Sequence, residues 1–181
     1  MLSRAHFENG ITAAMAMGCS TNAIIHLVAM SRRAGAHCEV GLDDFDAASR
    51  TVPVIANIRP SGNKYLMEDF YYAGGLPAML NRLGQRLHLD AMTVNGRTLG
   101  ENIENADVYN DDVIRPLETP IYSEGALAVL RGNVAPDGCV IKPSACAPEL
   151  LNHTGPALVF DDYPSLKVAV EDPDLNVTAD H

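Results

Sequence analysis

The apolar and polar positions of this 181-residue chain fall into blocks that alternate in type. The stretch from Ser3 to about Met17 reads as a helix with Ser3 as its cap. A second helix starts near Thr21 and ends at Gly35, a suitable terminator after the basic pair Arg32-Arg33. Between Ala23 and Ala34 it is apolar on nearly every face up to Arg32, which predicts burial inside a larger body. Leu42-Asp43-Asp44-Phe45-Asp46 opens a third helix, with carboxylates in the first turn where the helix dipole favours them. Val52–Ile58 is a short apolar run rich in β-branched residues and bounded by Arg59-Pro60-Ser61-Gly62, the pattern of a buried strand. Helices are predicted over Tyr65–Ala73 and Pro77 to about Leu87, separated by Gly74-Gly75, and a short polar one over Thr98–Asn105. Helices interleaved with a strand indicate part of an α/β domain.

The character changes after Asp107-Val108-Tyr109-Asn110. Pro116 and Pro120 interrupt the chain, and short β-prone runs follow at Ala126–Leu130, Cys139–Ile141 and Ala157–Phe160. Asn133–Gly138 is a turn-rich connector between the first two, and a short helix is predicted over Ser165–Val170. A domain boundary is placed near residue 112, giving segments 1–112 and 113–181. There is no internal repeat and no low-complexity tract.

The segment Met17-Gly18-Cys19-Ser20-Thr21-Asn22-Ala23-Ile24-Ile25-His26-Leu27 carries the densest information. A glycine turn leads into three residues of the types that cap helix N-termini. Such a turn offers N–H donors and the positive end of a dipole, which suits a carboxylate or phosphate. Taken alone, the pattern favours an ordinary cap on a core helix. His26, one turn after Asn22, could face the same pocket, but a lone histidine on an apolar helix is more often a hydrogen-bonded core residue. Lys64, Tyr65, Glu68 and Asp69 form a dense ionisable group. Adjacent helical positions point about 100° apart, so Glu68 and Asp69 are poorly placed to share one ion. A Lys64–Glu68 ion pair and a structural or interface role fit the spacing better. Arg131, after an apolar strand, suits either a bidentate clamp on a carboxylate or an interdomain ion pair.

Composition narrows the field. A net charge of −10 without a basic stripe argues against nucleic acid as a partner. The run Ala23–Met30 is too short to cross a bilayer, and the N-terminus lacks a continuous apolar signal core, so a cytoplasmic protein with no membrane partner is expected. The four cysteines, Cys19, Cys38, Cys139 and Cys146, include no close C-x-x-C pair, and free thiols are expected. No Ser-His-Asp set, Walker loop or dinucleotide-binding fingerprint can be assembled.

Four long segments together resemble one family. Gly18–Leu27 is similar to the Gly-Gly-Ser-Thr-Asn-Ala-x-x-His-Leu motif of the dihydroxy-acid and phosphogluconate dehydratases, which include the sugar-acid dehydratases. Pro60–Asp69 resembles the family's Pro-Ser-Gly-x-Tyr-x-Met-Glu-Asp segment, Ala73–Pro77 its Ala-Gly-Gly-x-Pro turn, and Leu127–Gly138 its Leu-Arg-Gly-Asn-Leu-Ala-Pro-x-Gly hairpin. Phe70-Tyr71-Tyr72, Val94-Asn95-Gly96, Tyr109–Ile114 and Ile141–Ala145 resemble the arabinonate or xylonate branch.

The resemblance implies an α/β fold: a helix-rich portion of an N-terminal α/β domain over 1–112, then the start of a β-rich, barrel-like C-terminal domain over 113–181. It implies a lyase that eliminates water from a sugar acid to give a 2-keto-3-deoxy acid, with Ser20, Thr21 and Asn22 as substrate-binding residues. Complete family members imply an iron–sulfur cluster and magnesium. The resemblance places their ligands, and the proposed serine base, outside the matching stretch, so no cofactor, metal ligand or catalytic residue is assigned within this chain. Cys19 departs from the pattern by standing at the second glycine. Two readings follow: a middle segment of a sugar-acid dehydratase, inactive by itself, or a noncatalytic remnant acting as a self-associating structural domain. Both imply a homo-oligomer.

Overall fold

A computed structural model describes residues 2–178. The chain divides into two compact units, one ending at Ala145 and the other beginning at Cys146. The last residues of the expected second segment, 179–181, lie outside the described residues.

The first unit opens with α1 (Arg4–Met17), where the Ser3 amide donates to His6 Nδ1 at 3.2 Å, so histidine fills the third helical position, where a capping box carries Glu or Gln. It continues with α2 (Asn22–Ala34) and α3 (Leu42–Thr51). The latter starts as its acidic first turn predicts, with the Gly41 amide donating to Asp44 Oδ2 at 2.8 Å. The helices α4 (Met67–Tyr72), α5 (Gly75–Leu83) and α6 (Leu99–Ile103) follow. Thr98 caps α6 reciprocally: Glu101 N donates to its hydroxyl at 3.2 Å and Thr98 N to Glu101 Oε2 at 2.7 Å. The named strands, β1 (Ala128–Leu130) and β2 (Cys139–Ile141), both lie beyond residue 112 and pair antiparallel, with Val129 opposite Val140. The architecture is mixed α/β, with helices predominating.

Phe7, Ile11 and Met15 of α1, Phe45 of α3, Met79 and Leu83 of α5 and Leu127 belong to one core. The run Val52–Ile58 crosses it fully buried, as its pattern predicts, but without a regular ladder. Its backbone groups are shared out irregularly. Ile55 N and Ala56 N donate to Ala16 O, Asn57 N to Val113 O, and Ile55 O accepts from Arg115 N. A buried backbone must find partners, and here loop 113–122 and the end of α1 supply them.

Two expectations about α2 are corrected. α2 is not enclosed: only Ile24 and Ser31 are buried, while Ile25 is 66% exposed and Met30 52%. His26 is not a core histidine; it is exposed and its imidazole makes no hydrogen bond among the described residues. The face that an apolar pattern selects for burial still needs something to pack on it, and α1 covers only one side.

In the second unit, a 3-10 turn at Pro148–Leu150 precedes α7 (Tyr163–Val170), where Ser165 N donates to Asp162 Oδ1 at 2.8 Å. Ala157–Phe160 is not a strand, because a β-prone run needs a neighbouring strand to form a ladder, and none pairs with it among the described residues.

Candidate functional site

α1 ends at Gly18, whose φ of +85° lies in the left-handed region where glycine has no steric penalty. A side chain there would also collide, since a Cβ would lie 2.4 Å from Ser61 Cβ. The close approach is functional for the fold: Ser61 Oγ donates to Gly18 O at 2.8 Å. Lys142, directly after β2, donates from Nζ to the same carbonyl at 2.9 Å and to Cys19 O at 3.1 Å. A cation on the free carbonyls at a helix C-terminus is electrostatically favourable. Tyr122 completes the junction, its hydroxyl donating to Ser61 O at 3.3 Å. Residues from three of the sequence segments, Gly18-Cys19, Ser61 and Lys142, thus meet at one point.

Burial pushes the Cys19 thiol above its ordinary range, and the neighbouring Lys142 charge offsets this only in part. Cys19 is therefore a protonated thiol and a poor nucleophile at neutral pH. Burial pulls the Lys142 ammonium down, against a smaller opposing effect of Cys19.

Ser20, Thr21 and Asn22 emerge from this junction into solvent. Asn22 N donates to Ser20 Oγ at 3.2 Å, Ala23 N to Ser20 O at 3.0 Å and Ile24 N to Thr21 O at 3.2 Å. Three donors that the sequence pattern offers to an anion are thus used within the turn. The Thr21 hydroxyl and the Asn22 carboxamide make no hydrogen bond among the described residues and face outward.

The other candidates are accounted for differently than their spacing suggests. Lys64 does not pair with Glu68; its Nζ bonds Asp112 Oδ2, which also accepts from Tyr65 Oη at 2.8 Å, while Oδ1 accepts from Arg115 Nη1 at 3.0 Å. These donors, Lys64 foremost, hold the Asp112 carboxyl below the usual carboxylate range. Asp69 Oδ2 accepts from Leu66 N at 2.8 Å and so caps α4. Arg131 bonds Asp43 in the first turn of α3, which makes it a structural tie. Sequence reasoning did not single out Lys142, Ser61 or Tyr122, although Ser61 and Lys142 sit inside segments that carry the family resemblance.

Among the described residues no group of three or more His, Cys, Asp or Glu side chains converges. Cys38 is buried, its thiol donating to Leu2 O at 3.5 Å, and Cys139 is exposed on β2. The described residues do not fit an iron–sulfur cluster or a magnesium site.

The description Dihydroxy-acid/6-phosphogluconate dehydratase N-terminal matches residues 1–102, and its C-terminal counterpart matches residues 112–181. The chain belongs to the dihydroxy-acid/6-phosphogluconate dehydratase family. A protein of Rhizobium meliloti (strain 1021) named as a dehydratase is 52% identical over 99% of this chain and 31% of its own length. An L-arabinonate dehydratase of Rhizobium leguminosarum bv. trifolii (strain WSM2304) is 48% identical over 98% of this chain and 30% of its own length. A 6-deoxy-6-sulfo-D-gluconate dehydratase of Pseudomonas putida is 47% identical over 99% and 31%. The chain therefore spans about a third of the length of the curated relatives it matches. No helix among the described residues is long and apolar enough to cross a membrane.

Proposed function

We propose that this chain is a segment of a cytoplasmic sugar-acid dehydratase and that it contributes the Ser20-Thr21-Asn22 turn to the wall of the substrate cleft. The observation that carries the reading is the junction of Gly18, Ser61 and Lys142, which fixes the exposed turn from three separated stretches of chain. Rigid support of a solvent-facing polar turn is what a substrate-positioning element needs. With three backbone donors used internally, the contact to a hydroxy acid falls to the Thr21 hydroxyl and the Asn22 carboxamide. Two relatives bear names of enzymes acting on sugar acids, which supports that substrate class.

The chain spans about a third of the length of its curated relatives, so water elimination is assigned here to a longer polypeptide that carries this segment. The test is formation of 2-keto-3-deoxy acid from L-arabinonate, followed by semicarbazide trapping. The 181-residue chain gives none, whereas a longer polypeptide carrying this segment gives product. In that polypeptide Thr21→Val lowers kcat/KM about tenfold, the loss of roughly one hydrogen bond to an anionic substrate. Unchanged kinetics with Thr21→Val would remove the turn from the site.

The second reading, a noncatalytic self-associating domain, is favoured by the large exposed apolar side chains Ile25, Met30, Met67 and Tyr71.

A further inference from the structure

A hollow of about 230 Å³ lies between α1, α5, α6 and the stretch 88–93, lined by Gly10, Ala13, Leu76, Leu80, Ala91 and Leu99. Its walls are almost entirely apolar. Packed elements rarely leave a space of this size between them. Leu76 is 43% exposed, so the hollow reaches the surface. Three polar residues also border it, and each is spent within the chain. His6 Nδ1 accepts from Ser3 N at 3.2 Å, and its Nε2 donates to Met92 O at 2.8 Å. Asn9 Oδ1 accepts from His88 N at 2.7 Å, while its Nδ2 donates to His88 O at 3.0 Å. The Thr93 hydroxyl donates to Asn95 Oδ1 and accepts from Asn102 Nδ2, both at 2.7 Å. A bound water needs two or more polar partners, and the side chains here are already committed, so the hollow favours an apolar occupant. The same bonds keep it from collapsing. His6 and Asn9 tie α1 to residues 88–92, and Glu8 Oε2 reinforces the tie at 2.8 Å from His88 Nε2. Leu99 N, at the start of α6, donates to Ala91 O at 2.8 Å.

We propose that this hollow binds the uncharged hydrocarbon part of a small molecule, a single aromatic ring or a branched chain of about six to eight carbons. A dry cavity of about 150 Å³ with leucine-type walls takes benzene, and the larger space here holds a ring with two methyl groups. Charged and hydroxylated molecules are selected against, because a buried polar group without a partner costs binding. The site is preformed, so little ordering opposes the ligand. His6, the one titratable side chain lining it, has both ring nitrogens engaged, which makes the hollow a binding site and not a second centre of reaction.

The experiment is a methyl NMR titration of the isotopically labelled 181-residue chain with two probes of the same shape. One is p-xylene; the other is hydroquinone, kept reduced under argon, with a hydroxyl at each end. Saturable shifts at Ala13, Leu76, Leu80, Ala91 and Leu99 are expected with p-xylene, and binding about tenfold or more weaker with hydroquinone. Ala13→Leu fills the space: it abolishes the p-xylene shifts and raises the melting temperature by about 2–4 °C. Leu80→Ala enlarges the hollow and binds the bulkier mesitylene more tightly than the wild-type chain does, which tests the site even where the filled variant folds poorly. Equal binding of the two probes, shifts that do not saturate, or shifts confined to the groove lined by Ile24, Val28 and Leu42 overturn the proposal. Loss of the p-xylene shifts as the chain concentration rises assigns the hollow to a second copy and also overturns it.

Discussion

Lys142 Nζ lies 2.9 Å from Gly18 O, across 124 positions of sequence, and 3.1 Å from Cys19 O. One side chain thereby closes the end of α1 onto the stretch that follows β2. The helix-terminal carbonyls gain a charged donor that water would otherwise replace. Lys142→Met removes both bonds and keeps most of the aliphatic stem. The expected cost is about 1–2 kcal/mol, since the ammonium stays partly in solvent. A denaturant melt reads it directly, and an unchanged midpoint would show that the contact contributes nothing.

Gly18 is constrained twice, by its left-handed backbone and by Ser61. Gly18→Ala should cost about 2–4 kcal/mol, combining left-handed strain with overpacking. The double variant with Ser61→Gly separates the two causes. Relief of the collision gives a favourable coupling of about 1–3 kcal/mol in a double-mutant cycle. Strictly additive effects would mean that Ser61 moves aside freely.

Asp112 collects donors from Lys64, Tyr65 and Arg115, and its folded pKa is depressed. Its contribution is therefore fully present above the ordinary carboxylate value and is lost as pH falls through the folded value. As pH falls below the ordinary carboxylate range, the wild-type chain loses stability through this group, on top of other carboxylates. Asp112→Asn is less stable at neutral pH and has a shallower dependence in that window. Urea melts at successive pH values check the slope; parallel curves for both proteins would refute the assignment.

The neighbouring residues of the exposed turn make a contrast that separates capping from substrate contact. Ser20 Oγ accepts from Asn22 N, so Ser20→Ala costs about 0.5–1 kcal/mol as a lost cap. The Thr21 hydroxyl has no partner among the described residues, so Thr21→Val shifts stability by less than about 0.5 kcal/mol. Thermal melts of the two variants give the order, and an equal loss in both would make Thr21 a structural residue.

How much of this was legible in the sequence depended on distance along the chain. Helix starts at Ser3, Gly41 and Thr98 are decided within one turn, and their patterns predict them within one or two residues. Burial of Val52–Ile58 was legible because seven consecutive positions are suited to it; the ragged pairing was not, since it is set by Ala16 and residues 113–122. Lys64 chose Asp112 over Glu68 because the fold brings a carboxylate 48 positions away within reach, which no i,i+4 rule can show. The motif residues Ser61 and Lys142 were visible as motif members, but their convergence on Gly18 is a tertiary fact. The exposure of α2 was missed for the converse reason: hydrophobic pattern reports what a face prefers, not whether a partner covers it.

That uncovered face carries the final prediction. α2 leaves Ile25 and Met30 in solvent, with Ala29 exposed between them, and a groove lined by Ile24, Ile25, Val28, Ala29, Arg32, Gly41 and Leu42 runs beside it. Burying an Ile or Met side chain yields about 1.5–3 kcal/mol, and contiguous apolar patches of this kind are uncommon on soluble monomers. The isolated chain should therefore form a homodimer or larger assembly at micromolar concentration. An apolar contact is little screened by ions, so the assembly should persist in high salt. Light scattering gives the mass, and the variant Ile25→Glu with Met30→Glu should shift it toward the monomer by placing like charges in the contact. A monomeric wild-type chain with a cooperative melt would mean that this face tolerates water, and an assembly indifferent to both substitutions would move the interface elsewhere.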